Sequence, residues 1–115
     1  MLAIMKPNTV VHAAALFVEH ADVAPDQVVD GHPRTGIGQL GRFGELELGV
    51  WEMTPGVLRD VEAEEVFVVL SGAAIVEFDD DTTPLSLAAG DVVRLAEGTR
   101  TVWTVTETLR KVYLT

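Results

Sequence analysis

Cysteine is absent from the chain. That excludes a disulfide framework, thiolate metal ligation and a cysteine nucleophile. Basic residues are scarce: eight Lys and Arg stand against eighteen Asp and Glu, for a formal charge of −10. The few basic residues are scattered, so the electrostatic footprint for nucleic acid or anionic lipid is missing. Long apolar runs are missing too. Val10 to Val18 is far too short to span a bilayer, and His12 interrupts it. The same run lacks a small-residue cleavage site and is followed by Glu19, which argues against a signal peptide. A soluble cytoplasmic protein with no membrane or nucleic-acid partner is expected.

What is present suits a single packed domain. The chain has 115 residues, 48% of them hydrophobic, and no stretch of low complexity. A short apolar lead over residues 1–7 ends at Pro7. Val10 to Val18 reads as a strand or a short helix, because a continuous apolar run does not separate the two. Asp22 to Asp26 reads as a connection and Gln27 to Asp30 as a short strand. Gly31 to Gly44 holds five glycines and a proline, so an irregular loop is expected there. Residues 1–44 are therefore read as an N-terminal arm and Gly-rich loop packed on a core made by residues 45–115.

From Glu45 onward the pattern is that of short strands. Leu46, Leu48 and Val50 alternate with polar or small residues. Thr54-Pro55-Gly56 reads as a turn. Val66 to Leu70 is a strand apolar on both faces, Ser71-Gly72 is expected to reverse it, and Ala73 to Phe78 to return. Asp79 to Thr82 reads as a loop tip. Thr83 to Ala88, Asp91 to Leu95, Arg100 to Thr106 and Leu109 to Leu114 complete the series. Turn signals recurring roughly every 8–12 residues are the mark of an all-β sandwich or barrel.

The spacing of Glu65, six residues and Gly72, then Gly90-Asp91 and Gly98, resembles the two motifs of the cupin family. Further pieces stand in the same order: Trp51-Glu52-x-Thr54-Pro55-Gly56, Trp103-x-Val105 and Arg110-Lys111-x-Tyr113. Together they resemble small single-domain cupins related to ureidoglycine aminohydrolase and to the ethanolamine-utilisation cupins. The resemblance implies an all-β cupin fold, an RmlC-like jelly-roll barrel of two antiparallel sheets with a pocket between them. Gly72 and Gly98 are expected at tight reversals, where positive φ suits glycine. Asp91 is expected to fix a turn through local backbone hydrogen bonds.

Metal-binding cupins place two His and a Glu in the first motif and a His in the second. Aligned on Glu65, the first two positions fall on Arg59 and Val61, or on Leu58 and Asp60, and the last falls on Thr101. None of these is His, and an Arg there would repel a cation. His12, His20 and His32 all lie in the N-terminal part without ligand-like spacing and read as surface or loop residues. No metal and no cofactor are therefore expected from the resemblance. Glu62, Glu64 and Glu65 form an acidic cluster that could offer oxygen ligands to a hard cation, although strand alternation lets at most two converge. A solvated acidic face is the plainer reading of that cluster.

The candidate site follows from the same alignment. If Thr101 faces inward, so do Trp103 and Val105; if Glu65 does, so do Phe67 and Val69. Glu52 shares the Leu46-Leu48-Val50 face and, directed inward, needs Arg59, Arg94 or Lys111 as partner; otherwise it is a strand-end surface residue. Lys111 lies on the strand that closes the barrel in the resembled subgroup. Desolvated there, it could act as a base or form a Schiff base; beside Glu65 it would stay charged; otherwise it is a surface lysine. Glu65 and Lys111 are thus the expected acid and base. Trp51, Glu52, Arg59, Phe67, Thr101, Trp103 and Tyr113 are the expected ligand-binding residues. The function expected is small-molecule binding, with a metal-independent hydrolase, lyase or isomerase, a non-catalytic metabolite binder or sensor, and a mainly structural oligomer component as the readings to separate. The surplus of two-faced apolar sequence, in Val66 to Leu70 and Val10 to Val18, leads to the expectation of a homodimer.

Overall fold

The computed structural model describes residues 5–115, so residues 1–4 of the apolar lead lie outside the described part. Nine strands are present among the described residues: β1 (Ala21–Asp22), β2 (Val28–Asp30), β3 (Arg34–Phe43), β4 (Leu46–Met53), β5 (Gly56–Val61), β6 (Glu65–Phe78), β7 (Leu85–Leu87), β8 (Val92–Leu95) and β9 (Arg100–Leu114). Every pairing is antiparallel. The fold is all-β, as expected.

Strands β6 and β9 are the frame. They pair along nearly their whole lengths, from Val66 opposite Leu114 to Phe78 opposite Thr101. At one end β9 carries β4, and through it β3 and β1, while β6 carries β8. At the other end β9 carries β5 and then β2, while β6 carries β7. The result is two curled sheets that share their two longest strands.

The reversal expected at Ser71-Gly72 does not occur. The chain bends and continues as one strand, with the register shifting between Val69 and Ala74. Gly72 has φ 95°. A Cβ on it would lie 2.2 Å from the carbonyl oxygen of Thr108 on β9. The glycine thus serves a bulge and a close backbone approach at the corner between the sheets, not a hairpin. Likewise Arg100 to Thr106 and Leu109 to Leu114 are parts of one strand, β9. Asp91 behaves as expected: its carboxylate accepts from the backbone N–H of Ala88 at 2.8 Å.

Gly31 to Gly44 is also corrected, since most of it is strand β3. Its glycines make room for the arm. A Cβ on Gly36 would lie 2.1 Å from the Glu19 carbonyl oxygen, and one on Gly38 3.0 Å from Leu16 Cδ2. Val10 to Val18 forms neither strand nor helix. It lies over the sheet as an irregular arm, with Val18 in a cluster with Leu40 and Val50, against which Val11, Ala13, Leu16, Leu48 and Val112 pack. Arg110 pins it, donating from Nη1 to the carbonyls of Ala13 at 2.8 Å and Leu16 at 2.5 Å.

The main core lies between the sheets. Met53, Leu58, Phe67, Val69, Val76, Leu95, Trp103, Val105 and Leu109 are buried there. Along β9 the odd-numbered residues at Thr101, Trp103 and Val105, and again at Leu109, Lys111 and Tyr113, are all buried. That parity sets the inward face of the barrel.

Candidate functional site

Lys111 is the one lysine on this inward face. Its backbone pairs with Trp51 on β4 and Val69 on β6, so it sits mid-sheet, between Leu109 and Tyr113 on the same face. Its Nζ donates to Glu65 Oε2 at 3.2 Å, and the two side chains are only 6% and 12% exposed. The ammonium also lies 4.1 Å from the ring centre of Phe67, 4.7 Å from that of Trp51 and 4.9 Å from that of Trp103. The rings brace one another: Trp103 is 5.6 Å from Trp51 and 5.8 Å from Phe67. Rings around a desolvated cation favour its charged form by up to about 2 kcal/mol each.

A second set of bonds fixes the wall beside this pair. Glu62 is buried, and its Oε2 accepts from the Thr101 hydroxyl at 2.5 Å and from the Trp103 indole N–H at 2.9 Å. Asp60 stands opposite Thr101 in the β5–β9 register. Asp60, Glu62 and Trp103 border a cavity of about 300 Å³, together with Leu58, Trp51, Glu65, Tyr113 and Lys111. Its size suits a small metabolite.

Burial dominates the electrostatics. It pushes Lys111 below the ordinary lysine range, opposed by the attraction and hydrogen bond of Glu65. It pushes Glu65 above the ordinary carboxylate range, opposed by Lys111. Asp60 is raised by burial and by the charge of Glu62. Tyr113 is raised mainly by burial. Burial thus draws the proton affinities of the lysine and the carboxyl toward each other.

The structure decides the alignment left open by the sequence. Leu58 and Asp60 face the interior, while Arg59 is exposed. Arg59 lines a neighbouring cleft of about 510 Å³ with Gln27, Val29, Phe78 and Thr101, which shares Asp60 and Val61 with the Lys111 cavity. The cupin metal positions are therefore Leu58, Asp60, Glu65 and Thr101. This donor set does not fit a divalent metal. Leucine offers no lone pair, the Thr101 hydroxyl is engaged by Glu62, and the Lys111 ammonium already holds Glu65.

Glu52 is corrected as well. Its face of β4 is the outer one, covered by the arm, because Trp51 and Met53 take the inward parity. Its partners are Arg110, at 2.7 Å, and His20, at 2.6 Å, in place of Arg59, Arg94 or Lys111. His20 is thereby drawn into a partly buried contact, unlike the exposed His32. The acidic cluster is divided. Glu62 and Glu65 converge on the cavity, while Glu64 is exposed and bonded to Arg94 at 2.6 Å. Of the expected ligand-binding residues, Trp51, Phe67, Trp103 and Tyr113 gather around Lys111 or its cavity, while Thr101 is joined to it through Glu62 and lines the Arg59 cleft. Glu62 was not among the expected site residues; only the distance-spanning bonds to Thr101 and Trp103 reveal it, and no local pattern signals them.

No curated protein matches the sequence. Solved structures do. EutQ of Clostridium difficile is 18% identical, with a TM-score of 0.61, over 77% of this chain and 74% of that one. The ethanolamine utilization protein Q of Salmonella typhimurium LT2 is 16% identical, with a TM-score of 0.60, over 87% and 95%. A protein of unknown function from Acidithiobacillus ferrooxidans is 22% identical, with a TM-score of 0.61, over 95% and 97%. At such identities the likeness is one of fold. The family model of the EutQ-like cupin domain matches residues 40–113, most of the chain and all of the barrel from β4 through Tyr113. The protein belongs to the EutQ-like cupin domain family.

Proposed function

We propose that the barrel binds a small metabolite in the cavity over Lys111 and acts on it without a metal, with Glu65 and Lys111 as acid and base in a hydrolase, lyase or isomerase reaction. The observation that carries this reading is the Lys111–Glu65 pair, buried beneath three aromatic rings yet bordering a cavity of about 300 Å³. Ion pairs kept for stability alone are an inefficient use of such a position, since apolar replacements of the same shape often do as well. Trp51, Phe67, Trp103 and Tyr113 would supply apolar contact, and Thr101 would hold Glu62 in place. The ordered motifs around Trp51, Glu65, Gly90 and Arg110 support a place near the ureidoglycine aminohydrolase and ethanolamine-utilisation cupins. A cytoplasmic location is part of the same proposal.

A panel of amino acids, hydroxy acids, amides and small sugars, followed by thermal shift and by mass spectrometry of the mixture, tests the proposal. A compound that stabilises the wild type and is converted, but is not converted by Glu65→Gln or Lys111→Met, supports it. A compound that is bound and recovered unchanged supports the second reading, a non-catalytic metabolite binder or sensor. The close ring packing that holds Lys111 in one place favours that alternative. Conversion that survives both substitutions would refute the acid–base assignment.

We also propose a homodimer. Val66 and Val68 on the outer face of β6 are 38% and 37% exposed, and Val92 on the neighbouring β8 is 68% exposed. These three valines form an apolar patch across two paired strands, and a two-fold contact is the commonest way to cover one.

A further inference from the structure

We propose that the substrate is a small neutral aldehyde or ketone, captured as an imine on Lys111; this rests on the acid–base reading above and names its substrate class. Three features of the site lead there. First, the amine is nine-tenths buried, in walls made of ring carbons, and it borders a cavity large enough for a few heavy atoms beside it. Desolvation works toward the free amine, which is the nucleophile, against the rings and Glu65, which favour the ammonium. Second, the group bonded to Nζ among the described residues is a carboxylate, Glu65, which can take a proton from nitrogen and return it to oxygen. Third, the remaining charged side chains at the cavity among the described residues, Glu47, Asp60 and Glu62, are acidic. They disfavour an anionic oxo acid and leave a neutral carbonyl compound as the better guest.

The chemistry balances with these groups alone. Glu65 takes one ammonium proton, and the freed lone pair of Nζ forms a bond to the carbonyl carbon as the carbon–oxygen π pair moves to oxygen. The oxygen receives that proton from Glu65, giving a carbinolamine protonated on nitrogen. Glu65 then takes a second proton from nitrogen and delivers it to the hydroxyl. The carbon–oxygen bond breaks, water departs, and the nitrogen lone pair closes the carbon–nitrogen double bond. Two of the three ammonium protons leave as water, and the iminium keeps one positive charge opposite the Glu65 carboxylate.

The test exploits a feature of the sequence: Lys6 and Lys111 are its two lysines, and Lys6 is exposed. The full chain is treated with propanal and cyanoborohydride, which reduces an iminium to a stable secondary amine, and propylated residues are mapped by peptide mass spectrometry. Lys111 should be labelled in preference to Lys6. Its labelling should also persist to lower pH than that of Lys6, a comparison that needs no variant. Pyruvate should label it more slowly than propanal. Glu65→Gln should slow labelling at Lys111 and leave Lys6 unchanged, with circular dichroism to confirm the fold. Labelling of Lys6 and the α-amino group ahead of Lys111, or one pH profile for both lysines, would overturn the imine. The acid–base reading would then still be judged by the metabolite panel, which requires no covalent capture.

Discussion

Lys111 Nζ and Glu65 Oε2 lie 3.2 Å apart at the inner wall of the barrel, each side chain almost closed off from water. Their backbones are on different strands and 46 positions apart in the chain. Removing either one leaves the other charge buried and without its partner, which costs about 3–5 kcal/mol. Lys111→Met and Glu65→Gln should each lower stability by that order in urea unfolding. The double variant should cost less than the sum of the two. Additive effects of under about 0.5 kcal/mol each would show that the pair contributes no coupling.

The pH dependence of stability should report Asp60. Its folded-state pKa is raised above 3.8, by burial first and then by Glu62. In the window between that value and its folded pKa, the folded protein holds more proton than the unfolded chain. The contribution of Asp60 to stability is thus fully present below the unfolded pKa and is lost as pH rises through the folded one. Asp60→Asn removes the titration. The stability difference between wild type and Asp60→Asn should therefore shift in favour of the wild type as pH falls from neutral toward 3.8. Parallel stability curves for the two proteins would contradict this.

The arm depends on the bare backbone of β3. A methyl group at Gly36 would meet the Glu19 carbonyl oxygen and Val18 Cγ1, so the arm must move away. Gly36→Ala should cost about 1–3 kcal/mol, the range for overpacking a close contact. It should also speed proteolysis between His12 and His20, while labelling or ligand binding at Lys111, on the opposite face of the sheet, changes little. Unchanged proteolysis would show that the arm tolerates the extra atom.

The apolar patch of Val66, Val68 and Val92 should be covered by a second copy of the chain. Light scattering at micromolar concentration should give a dimer mass, and Val68→Glu should shift it to the monomer mass. A monomeric wild type would remove the dimer proposal and leave the barrel site untouched.

The all-β class, the cupin likeness, the strand β4 and the turn at Asp91 follow from the sequence by itself. Alternation, turn residues and motif spacing are local, and local signals survive in a linear reading. Alternation also correctly grouped Thr101 with Trp103 and Val105, and Glu65 with Phe67 and Val69. It could not say which parity of β4 or β5 faces in, because a period of two gives two faces and no label for either. The sequence therefore leaves Glu52 and Arg59 open as inward residues, and in the fold Trp51 and Asp60 take that side. The glycines of β3 and Gly72 read as loop and turn, since composition does not distinguish a glycine that bends the chain from one that lets another backbone come close. Only the tertiary structure decided these points. The arm lying on one side of β4 makes that side the outer one, and the bend shared by β6 and β9 brings Lys111, Glu65 and three rings around one ammonium.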